Sequence, residues 1–526
     1  MSARDPSAAP PGAEDPDGGA AAGTGDLNFV MRARRASLDA LTERGFQAFG
    51  YSFVRTHTAH ECAALIGEGE EGPDVAVAGR IVSWRGHGKT VFAHLGDPSG
   101  RIQLYFRKDT LGDALFGAIQ HFDLGDVIGV RGPLFRTRTG EVTVRVETVE
   151  LLAKALRPLP FGKEEVVDGK TVRHSAFADS EMRSRQRYAD LAVHAEVRAL
   201  FVARSAMIRA IRAFLDGRGY LEVETPVLQP LYGGALARPF VTHHNALDMP
   251  LFLRIADELY LKRLVVGGLE RVYEIGHDFR NEGVDRTHNP EFTMLEFYQA
   301  YADYVDMMGV VEALVAAAAA AVRGALGESD PRDGAAAYDD ALQEGGFPRI
   351  EWVPALSAAL GVPDVLDLSD AALRAAAGKA GVASVATLSR PKLLDELFQA
   401  HVEAAIERPT FVVDYPIEIS PLAKPKRGNP ALTERFELFA RGRELANAFS
   451  ELNDPIDQRQ RFEAQARLKA AGDEEAVMVD EDYLRALEYG MPPTGGVGIG
   501  LDRLFMYLAG IQHIRDAILF PTMRPE

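Results

Sequence analysis

The spacing of apolar residues changes three times along this chain. In residues 28–44, Phe29, Met31, Leu38 and Leu41 recur at helical spacing with basic residues between them, and Gly45 supplies a stop. From Val75 the period shortens to two. Short alternating runs at 75–82, 90–95, 101–106, 126–130 and 141–146 predict five strands, separated by Asp97-Pro98-Ser99-Gly100 and Thr139-Gly140. A helical insert is predicted near 111–119. Pro158, Pro160 and Gly162 close this region, and an amphipathic helix follows over about 195–215, broken at Asp216-Gly217-Arg218-Gly219.

Strand patterns then return in longer steps. Residues 220–225 read as a strand stopped by Pro226, with an edge that could pair with a second copy. The runs 271–275 and 294–298 flank a polar turn, and residues 436–451 read as two strands around Arg441-Gly442-Arg443. Residues 495–500 are a glycine-rich strand, with Arg503 at the start of the next helix. Between about 325 and 400 lies an Ala-rich, mainly helical insert. The fold class is α+β: a small Greek-key barrel of the OB type, then a large mixed sheet domain. The expected division is a tail over 1–26, a helix and barrel over 27–162, and a second domain over 163–526.

Composition narrows the class. A chain of 526 residues, 47% hydrophobic and 25% charged, is expected to form two or three soluble folded units. The single cysteine, Cys62, excludes an intrachain disulfide framework and a cysteine-based zinc site, and fits a cytoplasmic protein. Residues 1–26 are mostly Ala, Pro, Gly and Asp, without a signal pattern, and read as disordered. No stretch is expected to reach the length of a membrane span; the Ala-rich run 311–322 is too short. The net charge of −18 opposes indiscriminate binding to nucleic acid. Residues 76–150 carry ten Lys and Arg against eight Asp and Glu, so the barrel is the one region whose charge suits an anionic polymer. On its second and third strands Phe92, Arg85 and Gln103 are placed to meet single-stranded nucleic acid; the alternative puts Phe92 inside the barrel.

Three segments carry chemistry. Phe279-Arg280-Asn281-Glu282-Gly283, followed by His288-Asn289-Pro290-Glu291-Phe292, sets a guanidinium, a carboxylate, an imidazole and an aromatic ring in one hairpin. Such a hairpin can grip phosphate or carboxylate and stack on a purine, or it is a solvated edge. Glu437, Glu444 and Glu451 follow at seven-residue intervals; paired carboxylates among apolar neighbours can hold magnesium, or else lie exposed on a strand face. Gly498 and Gly500 clear one strand face for a flat ligand, and Arg503 can stack on its ring.

Together these segments resemble the three signature motifs of class II aminoacyl-tRNA synthetases, nearest to the lysyl branch, over residues 28–526. Glu258-Leu259-Tyr260-Leu261-Lys262-Arg263 and Phe449-Ser450-Glu451-Leu452-Asn453-Asp454 are among the discriminating stretches. The resemblance implies an antiparallel catalytic sheet, an OB anticodon-binding domain, a homodimer, and ATP-dependent charging of tRNA(Lys) with L-lysine. It implies that Arg280 bridges the amino-acid carboxylate and the α-phosphate. Glu282 and Phe292 would hold the adenine, His288 and Asn289 would serve the phosphates and adenine, and Arg503 would cover the other adenine face. Glu437 and Glu444 would hold Mg2+. Glu258 would meet the α-ammonium, and Glu296, Tyr298 and Glu451 the ε-ammonium, with Gly234, Asn447, Phe449 and Gly498 completing the pocket. Carboxylates at 296 and 451 oppose an acidic substrate, as in the aspartyl relative. Two other readings are transfer of activated lysine to a protein, which the barrel opposes, and a nucleic-acid binder with a decayed catalytic domain. Asp257 departs from the Pro or Thr expected before Glu258.

Overall fold

The structure is a computed structural model that describes residues 21–67, 69–167, 170–174, 177–327, 339–341, 343, 345–470 and 478–525. The chain divides into two compact units, 1–179 and 180–526, each described by itself.

In the first unit, helix α1 (Ala21–Glu43) begins within the stretch read as a tail; residues 1–20 lie outside the described residues. Helix α2 (Ala59–Ile66) opens on a Thr58–Glu61 capping box. The barrel has six strands rather than five: β1 (Glu71–His87), β2 (Thr90–Asp97), β3 (Gly100–Arg107), β4 (Val127–Arg136), β5 (Val142–Arg145) and β6 (Thr148–Ala153). Their order is β1-β2-β3-β5-β4-β6, and β1 also pairs with β4 to close the sheet. The sixth strand was hidden because Val146 and Glu147 are the only residues between it and β5. The expected insert is helix α3 (Lys108–Ala118). Val91, Ala93, Leu95, Leu104 and Phe106 fill the barrel, so the residues between them face outward. An antiparallel hairpin, Lys163–Val167 with Lys170–His174, completes this unit.

In the second unit, helix α4 (Ala195–Asp216) buries Met207, Ile211 and Leu215 on one stripe. Eight strands form the sheet: β7 (Leu221–Glu222), β8 (Arg271–Phe279), β9 (Glu291–Ala300), β10 (Arg349–Glu351), β11 (Thr410–Val413), β12 (Arg435–Ala440), β13 (Arg443–Ser450) and β14 (Thr494–Gly500). The order is β10-β11-β12-β13-β14-β9-β8-β7. The six central strands pair antiparallel; β7 and β10 join the two edges in parallel. Leu295, Phe297, Ala446, Ala448, Val497 and Ile499 point to the rear, where α4 and helix α6 (Tyr304–Leu326) pack. The alternate positions, including Glu296, Asn447 and Gly498, face forward. The insert forms its own core around Trp352, Leu373, Leu397 and Phe398, with helices over Trp352–Leu360, Asp370–Lys379 and Arg390–His401.

Helix α6 corrects the expectation about span length. With 23 residues and mean hydropathy 1.9 it is long and apolar enough to cross a membrane by length and composition. Its Met307, Val311, Leu314, Ala318 and Val322 are instead buried in the core behind the sheet.

Candidate active site

Strand register assembles the site. Reading across the sheet, Glu437 lies opposite Asn447, Asn447 opposite Gly498, Gly498 opposite Glu296, and Glu296 opposite Glu274. The adjacent row runs Arg435, Phe449, Gly496, Tyr298. Segments up to two hundred residues apart in sequence thus become neighbours at strand spacing. Above these rows is a cleft of about 640 Å³ lined by all sixteen proposed catalytic-domain residues, from Gly234 to Arg503.

At one end are the polar turn between β8 and β9 and the start of helix α7 (Leu501–Leu508). The Arg280 guanidinium lies 5.2 Å from the centre of the Phe292 ring, with Nε and Nη2 3.4 and 3.5 Å from the Ile255 carbonyl. Arg503 donates from Nη2 to His288 Nε2 at 2.8 Å, and His288 Nδ1 is 2.8 Å from the Asp285 carboxylate. In this chain of bonds the His288 Nδ1–H donates to the Asp285 carboxylate, which leaves Nε2 to accept from the guanidinium. Burial raises the Asp285 carboxyl, but hydrogen bonds from the Thr287 and His288 backbone and the His288 ring outweigh it and hold the carboxyl down at about 2. Asn289 is buried, donates to the Glu291 carbonyl at 2.6 Å and accepts from Thr522 N at 3.3 Å. Its amide therefore shapes the turn, which leaves less of it for a ligand than the resemblance implies.

Glu437 and Glu444 form a second group, on β12 and β13. Glu437 accepts from Tyr415 at 2.8 Å and from Arg435; Glu444 is half-exposed, 3.4 Å from Arg503 Nη1. Burial pushes the Glu437 carboxyl up to about 7, with Arg435 opposing and Glu444 adding to the rise. Each carboxylate has a guanidinium beside it, Arg435 for Glu437 and Arg503 for Glu444, and the two together form an all-oxygen donor set of the kind that fits a divalent cation.

At the far end three buried carboxylates converge. Glu258 sits at the start of helix α5 (Glu258–Val266), Glu296 on β9, and Glu451 just beyond β13. Glu296 accepts from the Tyr298 hydroxyl at 2.9 Å and from the Asp257 backbone N–H at 3.1 Å. Burial pushes Glu296 and Glu451 each up to about 8 and also raises Glu258. Gly234 adopts φ +88°, where a Cβ would stand 3.0 Å from that of Ala256 and 3.1 Å from that of Glu258, so it holds the α5 end of the pocket open.

Comparison with known proteins shows the family. Residues 179–524 match the family described as tRNA synthetases class II (D, K and N), and residues 75–152 match the OB-fold nucleic acid binding domain. A lysine–tRNA ligase of Moorella thermoacetica is 52% identical over 502 residues, 95% of this chain and 98% of that protein. Those of Enterococcus faecalis and Bacillus subtilis are 48% and 47% identical over 95% of the chain and 98% of each relative. The chain belongs to the class II lysine–tRNA ligases.

Four contributors to this synthetase cleft were missed from sequence. Lys262, one turn along α5 from Glu258, is fully buried and pairs with both Glu258 and Glu451; its i,i+4 spacing from Glu258 was the available signal. Gly496, not Gly500, is the tightest glycine of the strand. A Cβ there would overlap Glu451 Oε1 and the Tyr298 ring, whereas at 500 it would meet Arg503 atoms at an ordinary 3.9 Å. Asp502 accepts from Thr293 N at 2.7 Å and from Arg204 at 2.6 Å, pinning the α7 start that carries Arg503. Asp257 places its carboxyl within 4.8 Å of Asp278 and Glu296. Burial first, then Asp278 and Glu296, push it up to about 10. Arg254 provides the positive charge there, 2.7 Å from Asp257, 3.2 Å from Asp278 and 2.5 Å from Glu274.

On the synthetase's barrel, Phe92 faces outward and stacks on Tyr105 at 4.7 Å and 29° between planes. The alternative of an interior Phe92 is excluded. Arg85 pairs with Phe92 in register and is exposed; Gln103 donates to Glu141 at 2.6 Å and accepts from Thr143 at 2.9 Å.

Proposed function

We infer that this chain activates L-lysine with ATP and charges tRNA(Lys), and propose the residues that do so. The observation carrying the amino-acid reading is the set of three buried carboxylates, Glu258, Glu296 and Glu451, at the closed end of the cleft. Buried carboxylates without enough counter-charge are costly, and a ligand with two ammonium groups offsets that cost. We assign Glu258 to the α-ammonium and Glu296, Tyr298 and Glu451 to the ε-ammonium, with Asn447, Phe449, Gly234 and Gly498 as walls.

Arg280 then lies between this pocket and the nucleotide, holding the lysine carboxylate and the α-phosphate. Phe292 and Arg503 enclose the adenine from its two faces, Glu282 meets its edge, and His288 orients Arg503. The lysine carboxylate attacks the α-phosphorus in line, a new O–P bond forms, and pyrophosphate leaves with the electrons of the broken bond. The nucleophile is already ionised, so approach and repulsion are the obstacle, and fixed guanidinium groups address both. Glu437 and Glu444 would hold Mg2+, which when bound neutralises phosphate oxygens. In the second step a hydroxyl of the terminal adenosine attacks the adenylate carbonyl and AMP leaves. The departing phosphate accepts the hydroxyl proton in this reading, which fits His288 being engaged by Asp285 and Arg503.

The outward stack of Phe92 on Tyr105, with Arg85 and Gln103, supports anticodon binding on the barrel. Phe92→Ala is expected to weaken tRNA binding by about 1–3 kcal/mol, the worth of one base stack. Filter binding reads the loss, and pyrophosphate exchange without tRNA should stay unchanged; a fall in both would refute the assignment. A homodimer is also proposed, supported by apolar Leu221, Val227 and Leu228 left exposed along the β7 region. Action in the cytoplasm is proposed with it.

The deciding experiment is amino-acid-dependent ATP–pyrophosphate exchange with each of the twenty amino acids. Lysine alone should give a signal, EDTA should abolish it, and added Mg2+ should restore it. A signal with another amino acid, or with none, would overturn the reading.

A further inference from the structure

Lys262 has no place in the roles assigned above. It lies one helical turn beyond Glu258 with its side chain fully buried, and its ammonium joins Glu258 Oε1 to Glu451 Oε2. Each carboxylate thus gives one oxygen to Lys262 and keeps the other. For Glu451 the second oxygen is well defined: Oε1 has no hydrogen-bond partner among the described residues and stands beside Tyr298, over the bare face of Gly496. That is the position assigned to the substrate's ε-ammonium. Burial opposes the charge on Lys262, but Glu258 and Glu451 outweigh it and keep the group protonated, with Tyr483 adding to the effect.

Counting charges shows what this does. The pocket holds three carboxyl groups, Glu258, Glu296 and Glu451, and one ammonium of its own. In the ligand-binding form, with all three carboxyl groups ionised, two negative charges remain to be matched, and a diamino acid brings two ammonium groups. Resting on the pocket reading above, we propose that Lys262 is a specificity-determining positioning residue. It is a resident ammonium that braces Glu258 against Glu451 and sets the pocket's demand at the two ammonium groups of a diamino acid. It stays in place when substrate binds, because each carboxylate bridges it and the ligand through different oxygens. The groups facing it are Glu258 on its own helix, Glu451 beyond β13 and Tyr483 from the helix Glu481–Glu488. Tyr298 and Glu296 from β9 face the carboxylates it braces.

The test compares the full-length protein with Lys262→Met and Lys262→Arg in lysine-dependent ATP–pyrophosphate exchange. Lys262→Met is expected to raise KM for lysine by about tenfold, the worth of hydrogen bonds to charged groups, with KM for ATP and kcat within about threefold of wild type. Its KM for lysine should also reach a minimum at higher pH by about one unit, because the carboxyl groups lose a neighbouring cation. Lys262→Arg, which keeps the cation, should recover most of the loss. A KM for lysine within threefold in Lys262→Met, or a uniform loss in all constants that arginine does not rescue, overturns the proposal. Failure of the wild type to respond to lysine refutes the pocket reading itself, and the role of Lys262 falls with it.

If Lys262→Met does not fold, nitrogen-15 spectra of lysine-labelled wild-type protein decide. A solvent-protected ammonium resonance, missing in Lys262→Arg, should persist when unlabelled lysine saturates the site. Its absence, or its loss on binding, overturns the proposal.

Discussion

Arg280→Ala is expected to slow lysine-dependent ATP–pyrophosphate exchange by about 10²–10³, the usual effect of removing one preorganised donor from a developing charge. The argument is electrostatic and positional. Two anions, the lysine carboxylate and the α-phosphate, must come within bonding distance, and Arg280 lines the same cleft as the buried carboxylates with its guanidinium 5.2 Å from the Phe292 ring. Its guanidinium already spans Ile255 and the ring, so little ordering is required when substrate arrives. Because the contact tightens as charge develops, the loss should fall on kcat more than on KM. Single-turnover measurement of adenylate formation separates the two. Exchange within threefold of wild type would remove Arg280 from the mechanism.

Glu296→Gln is expected to raise KM for lysine by at least about thirtyfold, with KM for ATP within about threefold. Removing one partner of a buried charge pair costs about 2–5 kcal/mol. Glutamine preserves the size of the side chain and can still accept from the Asp257 N–H, so packing changes little. What is lost is the carboxylate charge. The same residue predicts a pH dependence. In the empty pocket burial first, then Asp278 and Glu258, raise the Glu296 carboxyl to about 8. An ammonium ligand needs the ionised form, so the proton must leave on binding. Lysine affinity in the wild type should therefore rise with pH up to about 8 and fall below it. The dependence should be shallower in Glu296→Gln, where only Glu451 and Glu258 remain to supply it. Equal effects on lysine and ATP, or an unaltered pH slope, would exclude Glu296 from the ε-ammonium site.

Much of this site could be read from sequence because its chemistry is dense in short motifs. Arg280 to Phe292 lies in one hairpin, and the alternation of Phe436, Glu437 and Leu438 marks which face carries the carboxylate. The helix over 195–215 and the glycine-rich strand 495–500 were found nearly to the residue. Errors fell where periodicity carries no information. The sixth barrel strand follows the fifth with two residues between, and 311–322 was measured as an apolar run although its helix extends over Tyr304–Leu326. Lys262 is the plainest omission, since an i,i+4 pair with Glu258 looks from sequence like an ordinary exposed helix pair.

By itself the sequence determined the two domain types and the family, and it marked out residues that the fold gathers along one cleft. The domain types follow from local spacing and residue chemistry, the family from the resemblance of its motifs. Only the tertiary structure decided which carboxylates share a pocket, because that depends on register across strands distant in the chain. Gly496 is tight because the fold brings Glu451 Oε1 over it, and Lys262 pairs with Glu451 because α5, packed on β8 and β9, carries it there. A charge's role depends on the charges it is buried with, and burial is a property of the folded chain.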